Sequence, residues 1–105
     1  MACPITSRII LNWDGEKILF VDTFSITISK DNIWNASMLI KKPKTSQLDI
    51  LLDGAGTLAI DFGVQIFKGP ADLIVTPIDS SDDHDKFNFY DYTFTGIEGL
   101  MIYHD

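Results

Sequence analysis

Apolar residues alternate with small or polar residues along residues 58–67. The apolar positions are Leu58, Ile60, Phe62, Val64 and Ile66. Asp61 and Gln65 fall between them. Only a β-strand places residues with a period of two on one face, and burying each of the five apolar side chains would contribute about 1.5–3 kcal/mol. We therefore predict one central strand, with the apolar set buried and both Asp61 and Gln65 on its other face.

Shorter alternations of the same kind predict an antiparallel set of strands around this one. The Asp14-Gly15 pair between two apolar runs is typical of a tight hairpin. Residues 68–72 contain Gly and Pro and are interpreted as a turn. The further predicted strands are Arg8–Trp13, Glu16–Val21, Phe24–Ile28, Trp34–Lys41, Leu73–Ile78, Phe87–Thr95 and Leu100–Tyr103.

One segment has a helical pattern instead. Ser46 followed three residues later by Asp49 resembles a capping box, and the leucines at 48, 51 and 52 fall on one helical face. We predict a short helix from Gln47 to Asp53, with a strand over residues 48–52 as the alternative, because short apolar runs fit both. The fold class is then mainly β: an antiparallel β-sandwich or small β-barrel with one short α-helix.

The length of 105 residues is that of a single domain, which we place over residues 1–105. No apolar run has the length of a membrane span, and the first eight residues lack the charged start and apolar block of a signal peptide. These features predict a soluble, cytoplasmically made protein with no membrane partner. One cysteine, Cys3, excludes an internal disulfide.

The net charge of −7 is unevenly distributed. Residues 1–52 carry six basic and five acidic side chains, whereas residues 53–105 carry two basic and ten acidic ones. Phosphate contacts need Lys and Arg, so the acidic half is not expected to bind nucleic acid. An acidic surface can instead repel DNA, mimic it, meet a basic partner or keep the protein soluble.

Candidate chemistry is sparse. The run from Asp79 to Asp85 could hold a hard cation, but it lacks the glycine and the spacing of a calcium loop, so we interpret it as a solvated loop. Two histidines and one cysteine do not suffice for a typical zinc site. The aromatic residues fall in alternating strands, which favours core or interface packing over ligand stacking. We predict no catalytic, cofactor-binding or metal-binding residue, and therefore no enzyme.

The order of predicted elements resembles the tube fold shared by tail tube proteins of tailed bacteriophages, the first domain of their tail hubs and type VI secretion tubes. The resemblance covers residues 8–99 as a pattern of strands and one helix. It rests on Asp14-Gly15 in the opening hairpin, on the strand pair at residues 24–28 and 36–40, on Leu51–Gly54, on Ile66-Phe67-Lys68-Gly69 as an F-x-G turn, and on Tyr92–Gly96.

This resemblance implies a structural virion protein of a phage tail or tail-like machine. Its subunits would join edge to edge into rings, and the rings would form or cap a stacked tube through which DNA passes without specific binding. The implied partners are further copies of the chain and other tail or baseplate proteins. The implied location is the virion, after assembly in the host cytoplasm.

Two sets of site residues follow from the tube interpretation. Asp61 and Gln65 are expected to face the lumen. A basic segment and an acidic loop are expected to meet between rings, through Lys41, Lys42, Lys44, Asp79, Asp82, Asp83 and Asp85. Two other functions remain open: a small acidic phage-encoded inhibitor that mimics nucleic acid, and a ligand-binding β-sandwich with aromatic residues around a pocket.

Overall fold

A computed structural model describes residues 9–29, 33–63, 65–78, 85–97 and 101–104. These residues form one open antiparallel sheet and contain no helix. The strands are β1 (Ile10–Trp13), β2 (Glu16–Lys17), β3 (Val21–Ile28), β4 (Trp34–Pro43), β5 (Gly54–Asp61), β6 (Gln65–Ile78), β7 (Phe87–Gly96) and β8 (Met101–His104).

The strand order in the sheet is β2-β1-β5-β6-β7-β4-β3, and β8 pairs with the first residues of β6. The long strand β6 connects the two halves of the sheet. Its residues 66–73 pair with β5, and its residues 71–78 pair with β7. The mainly β, antiparallel character predicted from the alternation is therefore confirmed.

The opening hairpin is also confirmed. Trp13 pairs with Glu16 across the turn, and Asp14 and Gly15 have φ angles of 53° and 86°. Positive φ at both central positions is the geometry of a type I′ turn, whose twist matches that of the flanking strands. The prediction of the Phe24–Ile28 and Trp34–Lys41 pair is correct as well, because β3 and β4 are antiparallel neighbours.

The predicted central strand over residues 58–67 is wrong, because the chain reverses in its middle. The backbone N–H of Phe62 donates to the carbonyl of Gln65 at 2.9 Å, and Gly63 has a φ of 96°. Asp61 therefore pairs with Ile66 in a β5–β6 hairpin. Leu58 and Ile60 are buried as predicted, but Phe62 is 39% exposed. Ile66 is half-buried, and Val64 lies outside the described residues. The alternation in the sequence runs on through the turn, although the register places Ile66 on the face opposite to Leu58 and Ile60, so the pattern alone does not show the reversal.

The predicted helix from Gln47 to Asp53 is also wrong, because this segment is an irregular strap between β4 and β5. Ser46 does bond through its hydroxyl, but to the N–H of Leu48 two residues later, which is a local turn and not a helix cap. The N–H of Leu51 donates to Tyr92 Oη at 2.9 Å, and Asp53 accepts from the N–H of Val75 at 2.8 Å. These long-range partners on β7 and β6 replace the helical hydrogen bonds.

Two shorter predictions need correction. The strand expected over Glu16–Val21 is interrupted after Lys17, and Phe20 has a φ of 63°, which a strand does not adopt. The turn expected at residues 68–72 lies inside β6, where Pro70 pairs with Thr57. Both corrections arise because the sheet extends or breaks through tertiary pairing, which local composition does not reveal.

The core lies on the concave side of the sheet. The rings of Trp13 on β1 and Phe94 on β7 are 5.2 Å apart, although two strands separate β1 from β7 in the sheet. The sheet must therefore fold over onto itself. The largest fully buried side chains are Trp34, Phe94, Met38, Ile40, Leu58, Ile60 and Leu73.

The edges of the folded sheet approach each other at residues 18–20. The N–H of Ile18 donates to the carbonyl of Leu11 on β1, and the carbonyl of Phe20 accepts from the N–H of Lys41 on β4. This short segment therefore spans from one half of the sheet to the other. Among the described residues there is no helix long and apolar enough to cross a membrane.

Candidate functional site

The basic segment, residues 41–44, lies at the same end of the sheet as the start of β7. Pro43 at the end of β4 pairs with Phe87 at the start of β7, and the N–H of Lys44 donates to the carbonyl of Lys86. Of the predicted acidic contacts, Asp85 is exposed next to this pair, whereas Asp79, Asp82 and Asp83 lie outside the described residues.

The three lysines of the basic segment are not equivalent. Lys41 Nζ lies 4.4 Å from the centroid of the Phe87 ring, and Lys42 Nζ donates to the carbonyl of Ser46 at 3.4 Å. Both side chains are half-buried in β4, and the exposed lysine is Lys44, in the turn that follows. The prediction of a solvated basic loop therefore holds for Lys44, while the two others lie in a strand.

Asp61 and Gln65 lie on opposite faces of the β5–β6 hairpin. Because Asp61 pairs with Ile66, these two share a face, and Gln65 falls on the other one. Both residues are half-buried, and Asp61 Oδ1 accepts from the N–H of Gly63 at 2.7 Å. The expectation that they share one face is wrong, because it assumed a continuous strand; a lumen position for either one stays a prediction.

The described residues bring no three potential metal-ligating side chains together. The candidate cation loop falls almost entirely on residues that lie outside the described chain. The most distinctive functional feature is therefore an edge of the sheet and not a chemical cluster.

That feature is the outer edge of β3. This strand ends the sheet order, and no described strand pairs with it on the side away from β4. Its residues 21–28 read VDTFSITI and contain no Lys, Arg or Pro. Thr23, Ser25 and Thr27 are exposed, Ile28 is 46% exposed, and Asp22 is the one charged residue of the strand. Such an edge can pair with another strand.

Two of the other edges are better protected. Strand β2 has two residues, the charged Glu16 and Lys17. The part of β6 that extends past the start of β5 is also an edge. There the N–H of Val75 donates to the Asp53 carboxylate, and residue 77 is a proline. Short charged strands and proline are two ways in which natural sheets block edge pairing. Among the edges described here, β3 therefore combines the greatest length with the least protection.

A groove of about 540 Å³ opens beside the first half of β3. Its lining includes Ile9 and Leu11, the segment around Ile18, and Val21 to Phe24. The groove therefore borders the first half of β3. The sequence predicted β3 as a strand with one polar face but did not predict that it is an edge, since strand order is a tertiary property. No signal in the sequence pointed to an edge, because the lack of Lys and Pro is more typical of an interior strand.

Tyr92 ties the strap to the sheet. Its side chain is buried on β7, and its hydroxyl accepts the N–H of Leu51. Burial raises the pKa of the Tyr92 phenol above its ordinary value of 10.0, the hydrogen bond from Leu51 acts in the opposite direction, and Tyr90 adds to the increase. The folded protein therefore holds this proton more tightly than the unfolded chain does.

This shift predicts a loss of stability in alkali. A pKa that is higher in the folded state leaves its stabilisation intact below about pH 10 and removes it as the pH rises further. We expect the free energy of unfolding, measured by urea titration, to fall as the pH rises above about 10. Tyr92→Phe should lessen that fall, and the matched variant Tyr90→Phe, on the same strand and face, should retain most of it. An equal fall in wild type and Tyr92→Phe would contradict this assignment.

Comparison of the chain with protein-family models, curated proteins and solved structures gives no significant match.

Proposed function

We propose that the protein is a structural virion protein of a bacteriophage tail or tail-like machine. Its copies associate through sheet edges into rings that form or cap a tube for DNA passage. The observation that carries this proposal is the unprotected outer edge of β3. Together with the described strand order, it supports an assembly role more directly than a catalytic one.

The physical argument starts from the unpaired backbone groups. A sheet edge presents N–H and C=O groups that water satisfies in the monomer and that another strand satisfies in an assembly. Natural monomers usually block long edges with Lys, Pro or a covering segment, and β3 carries none of these residues. Closure through neighbouring copies removes the hazard that an open edge represents.

The charge of the chain suits a conduit for DNA better than a DNA-binding surface. A net charge of −7 with eight basic side chains disfavours the phosphate contacts that dominate nucleic-acid affinity. DNA would pass such a surface without specific binding. The proposed partners are copies of the chain and other tail or baseplate proteins, and the proposed location is the virion after assembly in the host cytoplasm.

The charged end of the sheet is the proposed contact between rings. Lys44 and Asp85 both lie at this end. The basic segment of one ring can therefore meet the acidic loop of another only if both rings present this end to each other. Exposed ion pairs contribute about 0–1 kcal/mol each. They would therefore orient two rings more than hold them together.

The test compares two matched variants of the full chain. Thr27 on β3 and Thr95 on β7 both pair with Asn35 on β4, so they lie in one row across the sheet, and both are exposed. Only Thr27 is at the edge. We expect Thr27→Lys to reduce the oligomer fraction measured by light scattering and the rings seen by electron microscopy, whereas Thr95→Lys should leave both unchanged.

The outcomes separate the alternatives. Rings in the wild type that persist in Thr95→Lys and disappear in Thr27→Lys would support the proposal. A wild type that stays monomeric at high protein concentration, alone and with candidate tail proteins, would refute it. That result would instead favour a monomeric inhibitor or a ligand-binding domain.

A further inference from the structure

The sequence of β3 is complementary to itself. Its central residues, Thr23 to Thr27, alternate hydroxyl and apolar side chains symmetrically about Ser25. Phe24 and Ile26 flank Ser25 on one face and are half-buried, while the hydroxyl residues are exposed on the other face. An antiparallel partner with the same sequence would therefore place apolar beside apolar and hydroxyl beside hydroxyl.

We propose that two copies of the chain pair through β3, antiparallel, about a two-fold axis at Ser25. In this register Ser25 faces Ser25, Phe24 faces Ile26, and Thr23 faces Thr27 of the other copy. Directly opposed aromatic and β-branched side chains, and opposed hydroxyl side chains, are favourable cross-strand pairs. A shift of one residue would place Phe24 opposite Ser25, so that apolar residues of one strand would lie opposite hydroxyl residues of the other. The alternation therefore specifies the register.

Charge does not oppose this pairing at close range. The one charged residue of β3, Asp22, lies in an irregularity of the β3–β4 register between Val21 and Thr23, outside the symmetric core. The two Asp22 residues of a pair would face opposite ends of the contact. Six strand positions separate Asp22 from Ile28, so the two carboxylates would be roughly 20 Å apart, which exceeds the screening length of about 8 Å at physiological salt.

The groove of about 540 Å³ borders the half of β3 along which the second strand would run. Ile9, Leu11 and residues 21–24 are among its lining residues. In the proposed register, the second copy's strand runs along this half of β3 with its own Ile26 and Ile28 on the apolar side. Ile28 is 46% exposed in the single chain, and it would become covered. The remaining edges do not offer an equal partner, since β2 has two charged residues and Pro77 interrupts the donors of β6.

This inference rests on the self-association in the proposed function and adds its symmetry. A two-fold contact uses the same surface on both copies, so it pairs subunits instead of continuing in one direction. A ring that contains this contact therefore needs a second contact at another surface, and the two contacts alternate around the ring.

A disulfide at the axis tests the register. The full chain is prepared with Cys3→Ser, so that no native thiol remains, and Ser25→Cys is added. Opposed Cα atoms in an antiparallel pair are 4.5–5.5 Å apart, within the range of a disulfide. Under mild oxidation we expect a covalent dimer that forms at least roughly tenfold faster than in a Thr95→Cys control, because pairing holds the two thiols at high effective concentration.

A mixture of Thr23→Cys and Thr27→Cys chains provides an independent measurement. These positions face each other in the proposed register, so the mixture should cross-link faster than either variant alone. Cross-linking of Ser25→Cys no faster than Thr95→Cys, with no cross-link in the mixture, would overturn the inference.

Particle size separates this failure from failure of the proposed function. If rings form but the cross-links do not, the tail proposal stands and two-fold β3 pairing is refuted. If cross-linked dimers form but never larger particles, the pairing stands and the ring is refuted.

Discussion

Phe94→Ala should lower the free energy of unfolding by about 3–5 kcal/mol, enough to unfold a large fraction of a domain of ordinary stability. Phe94 is 0% exposed, and its ring contacts Trp13 at 5.2 Å and Tyr92 at 6.4 Å between centroids. Truncation would leave a cavity at the place where the two halves of the sheet meet, because packed neighbours relax only partly around a missing ring.

Phe62→Ala is the matched control for this prediction. Phe62 lies in the β5–β6 turn, 39% exposed, with one ring contact at 5.4 Å to Phe67. We expect it to cost about 1 kcal/mol or less. Urea denaturation of both variants measures the difference, and a larger loss in Phe62→Ala than in Phe94→Ala would mean that the centre of the core is not where the structure places it.

The contrast between these two phenylalanines shows what the sequence can predict. Alternation identified inward positions of β4 and β7. The buried residues are Trp34, Ala36, Met38 and Ile40 on β4, and Tyr92 and Phe94 on β7. Alternation failed at Phe62 because the chain reverses at Gly63 while apolar residues still alternate along the sequence. Where the alternation runs on through a turn, only the local chemistry of the turn can reveal it, and the single glycine was a weak signal.

The strap shows a second limit of sequence reasoning. Residues 46–53 have helical spacing of leucines, yet Leu52 is 81% exposed. The N–H of Leu51 there donates to Tyr92 Oη, and the Asp53 carboxylate accepts from the N–H of Val75; these partners lie 41 and 22 residues away in the chain. Partners at such separations are set by the fold of the whole sheet and override a two-turn helical preference, since so short a helix is marginal by itself.

The candidate site was predicted only in outline. Each strand beside the β3 edge could be anticipated from its alternation, but the position of β3 at the end of the order follows from pairing between distant segments. The inter-ring role predicted for Lys41, Lys44 and Asp85 stays a prediction, and the structure adds that these residues lie at one end of the sheet.

Gly96→Ala should lower the free energy of unfolding by at least about 1–3 kcal/mol, the usual cost of overpacking. A Cβ atom at this position would overlap the Trp34 indole at Nε1 and would lie 2.6 Å from Cδ1 and Cε2. Trp34 is 1% exposed, so the ring has little room to move. Gly63→Ala is the control, because open space surrounds that position and only its positive φ disfavours alanine.

A double-mutant cycle with Trp34→Phe identifies the cause. The phenyl ring is smaller than the indole and lacks Nε1, so it has room to shift away from the added Cβ, at the cost of some buried surface. We therefore expect Gly96→Ala to cost less in the Trp34→Phe background than in the wild type, with a coupling of about 0.5–3 kcal/mol, as for residues in direct contact. Urea denaturation of the four proteins measures this term. Additive losses would show that Gly96 is required for its backbone and not for the close approach of the indole, and the packing of β7 against Trp34 would then need another explanation.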